Sequence, residues 1–280
     1  MMVTNNKITF RKVLLIAFLV LYLLSMVFPM LYLISASFMT EADLTRIPAR
    51  FLPSHFNFDN YVKAFTRQPL LRYVLNSFAS SIMSTLLCLI IGTCASYALV
   101  RTNIKFKKLF LLFILAISLM PTITIINPIY KMYSSLNLKN SLIGLAIISS
   151  VMDLPMTIWF LTAAMKTIPS SFEESAEIEG AGLFQIITRI YVPLLKGSLF
   201  SIGILDFISA WNKYLLSQVL NPFEKARTVV VGLTLYQLEI SIPFEVVSAA
   251  SIITIAPLFI LVMIFQKNIL GGLLEGGIKG

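Results

Sequence analysis

Long apolar segments constrain what this chain can fold into more than any other feature of its sequence. The first runs from Val13 to Ala36 without a charged residue. An α-helix needs about 20 predominantly apolar residues to cross the hydrocarbon core of a bilayer. Six segments reach this length, at residues 13–36, 73–100, 109–130, 141–165, 193–214 and 246–266. They predict an all-α polytopic membrane protein with six transmembrane helices.

The composition supports a membrane protein and excludes other classes. Hydrophobic residues make up 58% of the chain, charged residues make up 12%, and the mean hydropathy is +0.87. A soluble domain of this composition would expose far too much apolar surface. The net charge is +9, but the cations are scattered between apolar segments and form no patch with interleaved aromatic residues. We therefore expect no nucleic-acid partner.

Basic residues predict the orientation in the membrane. Residues 1–12 and the loop 101–108 (RTNIKFKK) contain several Lys and Arg and no acid, so the positive-inside rule places both in the cytoplasm. Six spans then put both termini in the cytoplasm and residues 37–72 outside. Val13–Ala36 is longer than a usual signal-peptide core, which favours a retained span. Cleavage near Ser35–Ser37 is the alternative.

The longest polar interruption in the second half of the chain is Pro169–Lys196. Ser170 or Ser171 is followed three residues later by Glu173 or Glu174, which is the pattern of a capping box. Acidic residues in the first turn also suit the positive end of a helix dipole. The sequence therefore predicts that a short, exposed helix begins here.

Two glycines, Gly180 and Gly182, predict the end of that helix. Leu183–Tyr191 can form a second short helix, and Pro193 suits the first turn of the apolar helix that follows. The result is a helix, a glycine turn and a second helix between two apolar segments. A solvated connector between two spans explains this pattern equally well.

The chain lacks the sequence patterns of a self-sufficient enzyme. It has no GxxxxGK[ST] loop to bind nucleotide phosphates, and His55 is its only histidine. The four carboxylates of the predicted exposed helix are not in a pocket that could shift their pKa values. Cys88 and Cys94 are six residues apart, on different helix faces, which argues against a disulfide or a metal site. We expect no catalytic residue, no metal and no cofactor bound by this chain.

The polar loop resembles the EAA motif of the membrane subunits of ABC importers: EAA, two residues, DGA, eight residues, IxLP. Ser175 replaces the second alanine and Glu179 replaces the aspartate. In that family the element is a cytoplasmic coupling helix that docks in a cleft of the ATP-binding subunit, where Glu174, Ala176 and Gly180 would insert. The resemblance implies coupling roles for Glu173, Glu174, Ser175, Ala176, Glu179, Gly180, Ala181, Ile190 and Pro193.

Three further stretches resemble carbohydrate importer permeases. Asn60-Tyr61 with Leu71–Ser77 is similar to an NY…FLRYLLNS signature, and Trp211–Tyr214 (WNKY) is similar to WNDF. Phe265–Gly280 is similar to the FQRYFVRGLTAGAVKG ending of the maltose-type subunit whose tail lies between the two ATPases. The resemblance implies tail contacts with the ATPases by Gly276, Gly277, Lys279 and Gly280.

Together these stretches imply the type I ABC importer fold and a permease subunit of an ATP-driven, binding-protein-dependent sugar importer in a bacterial cell membrane. Residues 1–12 would be the cytoplasmic N-terminus, 13–280 the transmembrane domain, 166–192 the coupling loop and 267–280 the tail. The implied partners are a second homologous permease subunit, two ATP-binding subunits that carry ATP and Mg, and an extracytoplasmic solute-binding protein.

Polar residues inside the apolar segments are candidates for substrate contact, because they usually face a bundle interior or a wet cavity. Asp153 lies in the fourth segment and Asp206 in the fifth. The seven-residue spacing from Asp206 to Lys213 puts both on one helix face, so that Asp206, Trp211 and Asn212 could line a sugar cavity.

Other interpretations of the same residues stay open. The aspartates could hydrogen-bond a partner subunit, and Trp211 could belong to the interfacial aromatic belt. Asp153 and Asp206 could also serve as the relay of an ion- or proton-coupled secondary transporter. A membrane-embedded assembly protein is a third possibility.

Overall fold

The computed structural model describes residues 10–48, 50–238 and 242–277, with the backbone alone for residues 10, 11, 238 and 267–277. Every regular element in these ranges is helical. The α-helices are α1 Phe10–Ser37, α2 Glu41–Thr45, α3 Asp59–Arg67, α4 Leu70–Arg101, α5 Lys107–Ser118, α6 Thr122–Ser135, α7 Leu142–Met165, α8 Ser171–Ile178, α9 Leu183–Ile186, α10 Val192–Leu194, α11 Lys196–Trp211, α12 Tyr214–Leu220, α13 Val229–Leu235 and α14 Phe244–Gly277. A π-helical turn, Ile187–Tyr191, joins α9 to α10.

Four helices are long and apolar enough to cross a membrane. They are Lys12–Ser37, Leu70–Arg101, Leu142–Met165 and Phe244–Gln266. Two bent helix pairs raise the number to as many as six if each pair is one span. The predicted positions of the first, second, fourth and sixth apolar segments agree with these helices, and the count of six spans stays a prediction.

The third and fifth segments were each predicted to be one transmembrane helix, but neither is a single straight helix. Within residues 109–130 the chain bends by 91° between α5 and α6, where Pro121 precedes the first residue of α6 and cannot continue the hydrogen bonding of α5. In the fifth segment Leu183–Leu194 bends by 83° from α11, which begins at Lys196 rather than at residue 193. The predicted second short helix therefore continues through the π turn to Leu194.

The chain forms two units, and the first comprises residues 1–68 and 235–253. Its Asn60 donates through Nδ2 to the carbonyls of Ser37 (2.9 Å) and Met39 (2.8 Å). The Tyr61 hydroxyl lies 2.9 Å from Ser37 Oγ. These two residues of the carbohydrate-permease signature therefore attach α3 to the end of α1.

The second unit comprises residues 69–234 and 254–280, and α4, α7 and α11 pack against one another in it. Small residues allow close approach: a Cβ at Gly92 would lie only 2.8 Å from Thr157 Cγ2. Cys88 is buried and its Sγ lies 3.3 Å from the Ser150 carbonyl, whereas Cys94 is exposed. The contact of α4 with α7 and α11 fixes the positions of the polar side chains described below.

The remaining signature residues fasten the segment before α13 to α4. Asn76 Nδ2 donates to the Arg227 carbonyl at 2.9 Å, and Arg227 Nη1 donates to the Tyr73 hydroxyl at 2.9 Å. Ser77 Oγ accepts the Val229 N–H at 2.8 Å. These contacts give the LRYVLNS stretch a structural role at the start of α4.

Candidate functional site

The polar loop between α7 and α11 contains the helix and glycine turn that the sequence predicts. Helix α8 ends in a Schellman motif: the Gly180 N–H donates to the Glu177 carbonyl (3.0 Å) and the Ala181 N–H donates to the Ala176 carbonyl (2.9 Å). Gly180 has φ of 81°, in the left-handed region that glycine adopts without strain. A Cβ at Gly180 would meet no atom within 4 Å in the described structure. The requirement for glycine therefore comes from backbone conformation.

The beginning of α8 differs from the sequence prediction. The capping box is wrong, because among the described residues the Ser170 side chain caps no backbone N–H and its backbone is helical. Glu173 was expected on an exposed helix, yet it is only 9% exposed. Its carboxylate points into the protein because two tyrosine hydroxyls and the positive charge of Arg101 there compensate the cost of burying its charge.

Four side chains form what we call the Glu173 cluster: Tyr97, Arg101, Glu173 and Tyr191. Glu173 Oε1 accepts a hydrogen bond from the Tyr97 hydroxyl, and Oε2 accepts one from the Tyr191 hydroxyl at 2.8 Å. Arg101 Nε lies 3.4 Å from Glu173 Oε2, an ion pair without hydrogen-bond alignment. The Tyr97 and Tyr191 rings pack edge to face at 5.3 Å. A buried carboxylate thus joins two tyrosines and an arginine from two other elements.

Arg101 extends the cluster to a third element. Its Nη2 donates to the Ile168 carbonyl, just beyond the end of α7. Its guanidinium also lies 5.4 Å from the centre of the Tyr191 ring, within the range of a cation–π contact. Arg101 was assigned by its sequence to a basic cytoplasmic loop, but it is the last residue of α4 and is largely enclosed.

An apolar core lies beside the Glu173 cluster. The EAA-like residues fall into two groups, those that pack against this core and those that are exposed. Ala176, Ala181 and Ile190 are partly buried and pack against this core. Glu174, Ser175, Glu179, Gly180 and Pro193 are exposed. Ala176 is therefore partly packed against its own chain, and its insertion into a partner's cleft stays a prediction.

Apolar side chains are exposed beside the carboxylates of this loop. Ile178 is 88% exposed and Phe184 is 79% exposed, and Phe172 and Leu183 are also exposed. We call Phe172, Ile178, Leu183 and Phe184, with the exposed Glu174, Glu177 and Glu179, the loop face. The loop face thus combines exposed apolar side chains, as in the core of a protein interface, with charged ones, as in its polar rim.

The polar residues of α7 and α11 lie close together, in a pairing that differs from the prediction. Lys213 was expected to share a helix face with Asp206, but α11 ends at Trp211. Lys213 Nζ instead lies 2.7 Å from Asp153 Oδ1. Ser209 Oγ donates to the same oxygen at 2.9 Å. Asp153 is thus paired with a cation and a hydroxyl between the two helices.

Asp206 is 7% exposed and binds a different partner. Both of its carboxylate oxygens lie 3.0 Å from the Thr157 hydroxyl, which can donate to one of them at a time. A cavity of about 260 Å³ opens beside these groups, lined by Met152, Asp153, Met156, Thr157, Phe160, Ile202, Leu205, Asp206 and Ser209. The two aspartates therefore line one cavity, as the sequence predicts for Asp206.

Trp211 and Asn212 lie apart from this cavity, which corrects their expected role. Trp211 is buried and its ring lies 5.8 Å from that of Phe207. Asn212, the residue after α11, donates through Nδ2 to the Ile208 carbonyl of that helix at 2.8 Å. Both residues stabilise the end of α11.

Four residues of these sites have no role predicted from the sequence: Tyr97, Arg101, Tyr191 and Thr157. Tyr97 and Arg101 are four residues apart at the end of an apolar segment, so they share a helix face. That spacing is a signal that the sequence contains. The partners on other elements have no equivalent signal, because they are brought together only by helix packing.

The predicted C-terminal tail is described in part. The backbone of α14 continues as a helix through Gly276 and Gly277. Lys279 and Gly280 lie outside the described residues. The contacts proposed for these four residues stay a prediction.

Comparison with known proteins gives consistent matches along most of the chain. The family described as "Binding-protein-dependent transport system inner membrane component" matches residues 84–273. The sulfoquinovosyl glycerol transport system permease protein SmoH of Agrobacterium fabrum is 37% identical over 253 residues, which cover 90% of this chain and 89% of SmoH. The trehalose/maltose transport system permease protein MalG of Thermococcus litoralis is 31% identical over 274 residues, covering 96% and 98% of the two chains.

A solved structure shares the fold. A chain of a bacterial ABC transporter involved in the import of the acidic polysaccharide alginate superimposes with a TM-score of 0.81 at 23% identity, over 95% of this chain and 99% of that chain. The all-α architecture of an importer permease, predicted from the sequence, is confirmed by this match.

Proposed function

This chain belongs to the family of binding-protein-dependent transport system inner membrane components, and we propose that it is the membrane-spanning permease subunit of an ATP-driven sugar importer. It would couple ATP hydrolysis by partner subunits to alternating access of a path across a bacterial cell membrane. Its termini would lie in the cytoplasm, as the acid-free basic segments indicate.

Two observations support a sugar as the solute. SmoH and MalG are named for the transport of sulfoquinovosyl glycerol and of trehalose or maltose. The cavity between α7 and α11 combines carboxylate and hydroxyl oxygens with the Phe160 ring. Asp153 Oδ2 is buried and has no hydrogen-bond partner among the described residues, so it is an unused acceptor in the wall of this cavity. Sugars present both hydroxyls and C–H faces to such a lining.

The loop face is the observation that carries the coupling role. Ile178 and Phe184 are almost fully exposed on a loop whose other residues are fixed by the Glu173 cluster and by the Schellman turn. Such exposure of large apolar side chains outside a lipid-facing helix indicates a binding partner. The partner that we propose is an ATP-binding subunit. It would supply the site for ATP and Mg, since this sequence contains no GxxxxGK[ST] loop.

The assembly that we propose contains this chain, a second homologous permease, two ATP-binding subunits and an extracytoplasmic solute-binding protein. ATP-driven closure of the ATP-binding pair would move the loop face, and the loop would move the helix ends to which it is attached. A crystal structure that shares the fold is of an alginate ABC transporter bound to a periplasmic protein carrying an alginate pentasaccharide. That complex is a precedent for the solute-binding partner.

Retention of the ATP-binding subunit tests this proposal. Ile178→Asp should strongly reduce the amount of ATP-binding subunit that co-purifies with a tagged chain, because a charge replaces an apolar group at the contact. Leu52→Asp is the matched control, since Leu52 is also an exposed apolar residue, at 75%, but lies in the segment predicted to be extracytoplasmic. Full retention in Ile178→Asp, or equal loss in Leu52→Asp, would contradict the proposed docking surface.

A further inference from the structure

We propose that Glu173 is the joint through which movement of α8 reaches the membrane-spanning helices, an inference that rests on the proposed function. The EAA-like motif draws attention to its exposed neighbour Glu174. The buried contacts of the loop, however, converge on Glu173. Glu174 is available to a partner, whereas Glu173 connects the loop to its own protein.

Glu173 contacts α4 and the π turn directly, and it reaches the segment after α7 through Arg101. Tyr97 and Arg101 come from the last turn and a half of α4. Arg101 also binds the Ile168 carbonyl, three residues after α7 ends. Tyr191 is the last residue of the π turn that leads into α10 and α11. A displacement of Glu173 would therefore be transmitted to α4, to the end of α7 and to the helix before α11.

The chemistry of a carboxylate suits this joint. An ionised carboxylate is only an acceptor and has lone pairs for several donors at once. Glu173 uses them for two tyrosine hydroxyls while its charge faces Arg101. A glutamine of the same shape has one oxygen and an NH₂ group, so it cannot accept both hydroxyl bonds on separate oxygens and offers no charge to the arginine.

The geometry separates this role from docking. Glu173 is in the first turn of α8 and faces inward, whereas Gly180 and the exposed Ile178 are at its other end. The partner would thus contact the exposed side and the C-terminal end of α8, while Glu173 attaches its first turn to the rest of the chain. A connection of this kind transmits motion only if α8 and α4 move as one body, which is a measurable property.

Distance measurements in the assembled complex test the joint. Spin labels would be placed at Leu86→Cys, about 16 Å along α4 from Tyr97, and at Ser171→Cys on α8, with both native cysteines replaced by serine. Leu86 and Ser171 are exposed. The complex would be compared without nucleotide and after trapping with MgATP and vanadate. With Glu173 intact, we expect the distance between the labels to change by no more than about 1–2 Å.

Glu173→Gln should allow the same distance to change or broaden on trapping while the ATP-binding subunits stay bound. Glu41→Gln, which changes an exposed acid outside the loop face and the Glu173 cluster, is the matched control and should behave as the unsubstituted protein. Tyr97→Phe removes one hydroxyl bond and leaves the carboxylate and Arg101 in place, so it repeats the test if Glu173→Gln fails to accumulate. Coupling between ATP hydrolysis and solute uptake should fall at least about fivefold in either variant.

Two results would overturn the joint. One is a distance in Glu173→Gln and Tyr97→Phe that stays as constant on trapping as in the unsubstituted complex. The other is loss of the ATP-binding subunits from both variants, which would make Glu173 part of docking or folding. Failure of the proposed function looks different: the complex with Glu173 intact would neither retain the ATP-binding subunits nor hydrolyse MgATP.

Discussion

The turn at Gly180 gives the sharpest quantitative prediction. Its φ is 81°, and an L-residue with a Cβ loses roughly 1–2 kcal/mol in the left-handed region. No atom in the described structure lies within 4 Å of a Cβ built there, so the cost within this chain is conformational. Substitution should shift the loop away from its docking conformation without disturbing the apolar core beneath it.

The order of a substitution series follows from this reasoning. Gly180→Asn should be tolerated best, because asparagine visits the left-handed region more readily than other residues. Gly180→Ala should cost about 1 kcal/mol and Gly180→Val more, since a β-branched residue is a genuine outlier there. These costs correspond to apparent affinities for the ATP-binding subunit that are lower by factors of roughly 5 to 30.

The assay is a titration of purified ATP-binding subunit onto the tagged permease assembly in lipid nanodiscs. Helix content and thermal unfolding of each variant serve as the folding controls. If Gly180→Asn weakened binding as much as Gly180→Val, a steric contact with the partner would explain the glycine better than backbone conformation. If Gly180→Val bound as the unsubstituted protein does, the turn would be irrelevant to docking.

Three further predictions concern charges elsewhere in the chain. Lys213→Met should lower the free energy of unfolding in detergent by about 3 kcal/mol, because it leaves Asp153 buried without its cation. Adding Asp153→Asn should restore part of this loss, and no recovery would contradict the pairing of Lys213 with Asp153. The pKa of Asp43 is lowered from 3.8 to about 2, chiefly by the Thr40 backbone N–H. Its carboxylate therefore contributes stability above pH 4 that is lost as the pH falls towards 2. The free energy of unfolding of Asp43→Asn should depend less on pH in this range than that of the unsubstituted protein. Lys105→Cys should resist an impermeant thiol reagent added to intact cells, since its loop is predicted to be cytoplasmic, and strong labelling would refute the topology.

Hydropathy predicts the positions of the long helices well, because crossing a bilayer requires uninterrupted apolar length. It does not predict the 91° bend between α5 and α6, since residues 109–130 contain no charged residue on either side of Leu119–Pro121. The proline is a signal for a break, but a proline also occurs inside α7 without ending that helix. Helix boundaries therefore depend on tertiary packing as well as on sequence.

Side-chain partners are the part of the site that the sequence predicts least well. The spacing from Asp206 to Lys213 suggests one helix face only if the helix continues, yet it ends at Trp211 and Lys213 reaches Asp153 on α7. Glu173 fits the pattern of an exposed helix start, and its burial depends on Tyr97 and Tyr191 from distant parts of the sequence. Gly180 was predictable because the Schellman turn is a local structure.

The energy source for uptake tests the central claim most directly. The complete assembly, with its solute-binding protein, would be reconstituted into sealed vesicles, and uptake of the solute that co-purifies with that protein would be measured. For an ATP-driven importer we expect uptake that requires MgATP on the side of the loop face, persists when an ionophore abolishes the proton gradient, and stops with vanadate. Uptake driven by a proton gradient without ATP would contradict it and would favour a secondary transporter in which Asp153 and Asp206 form the relay.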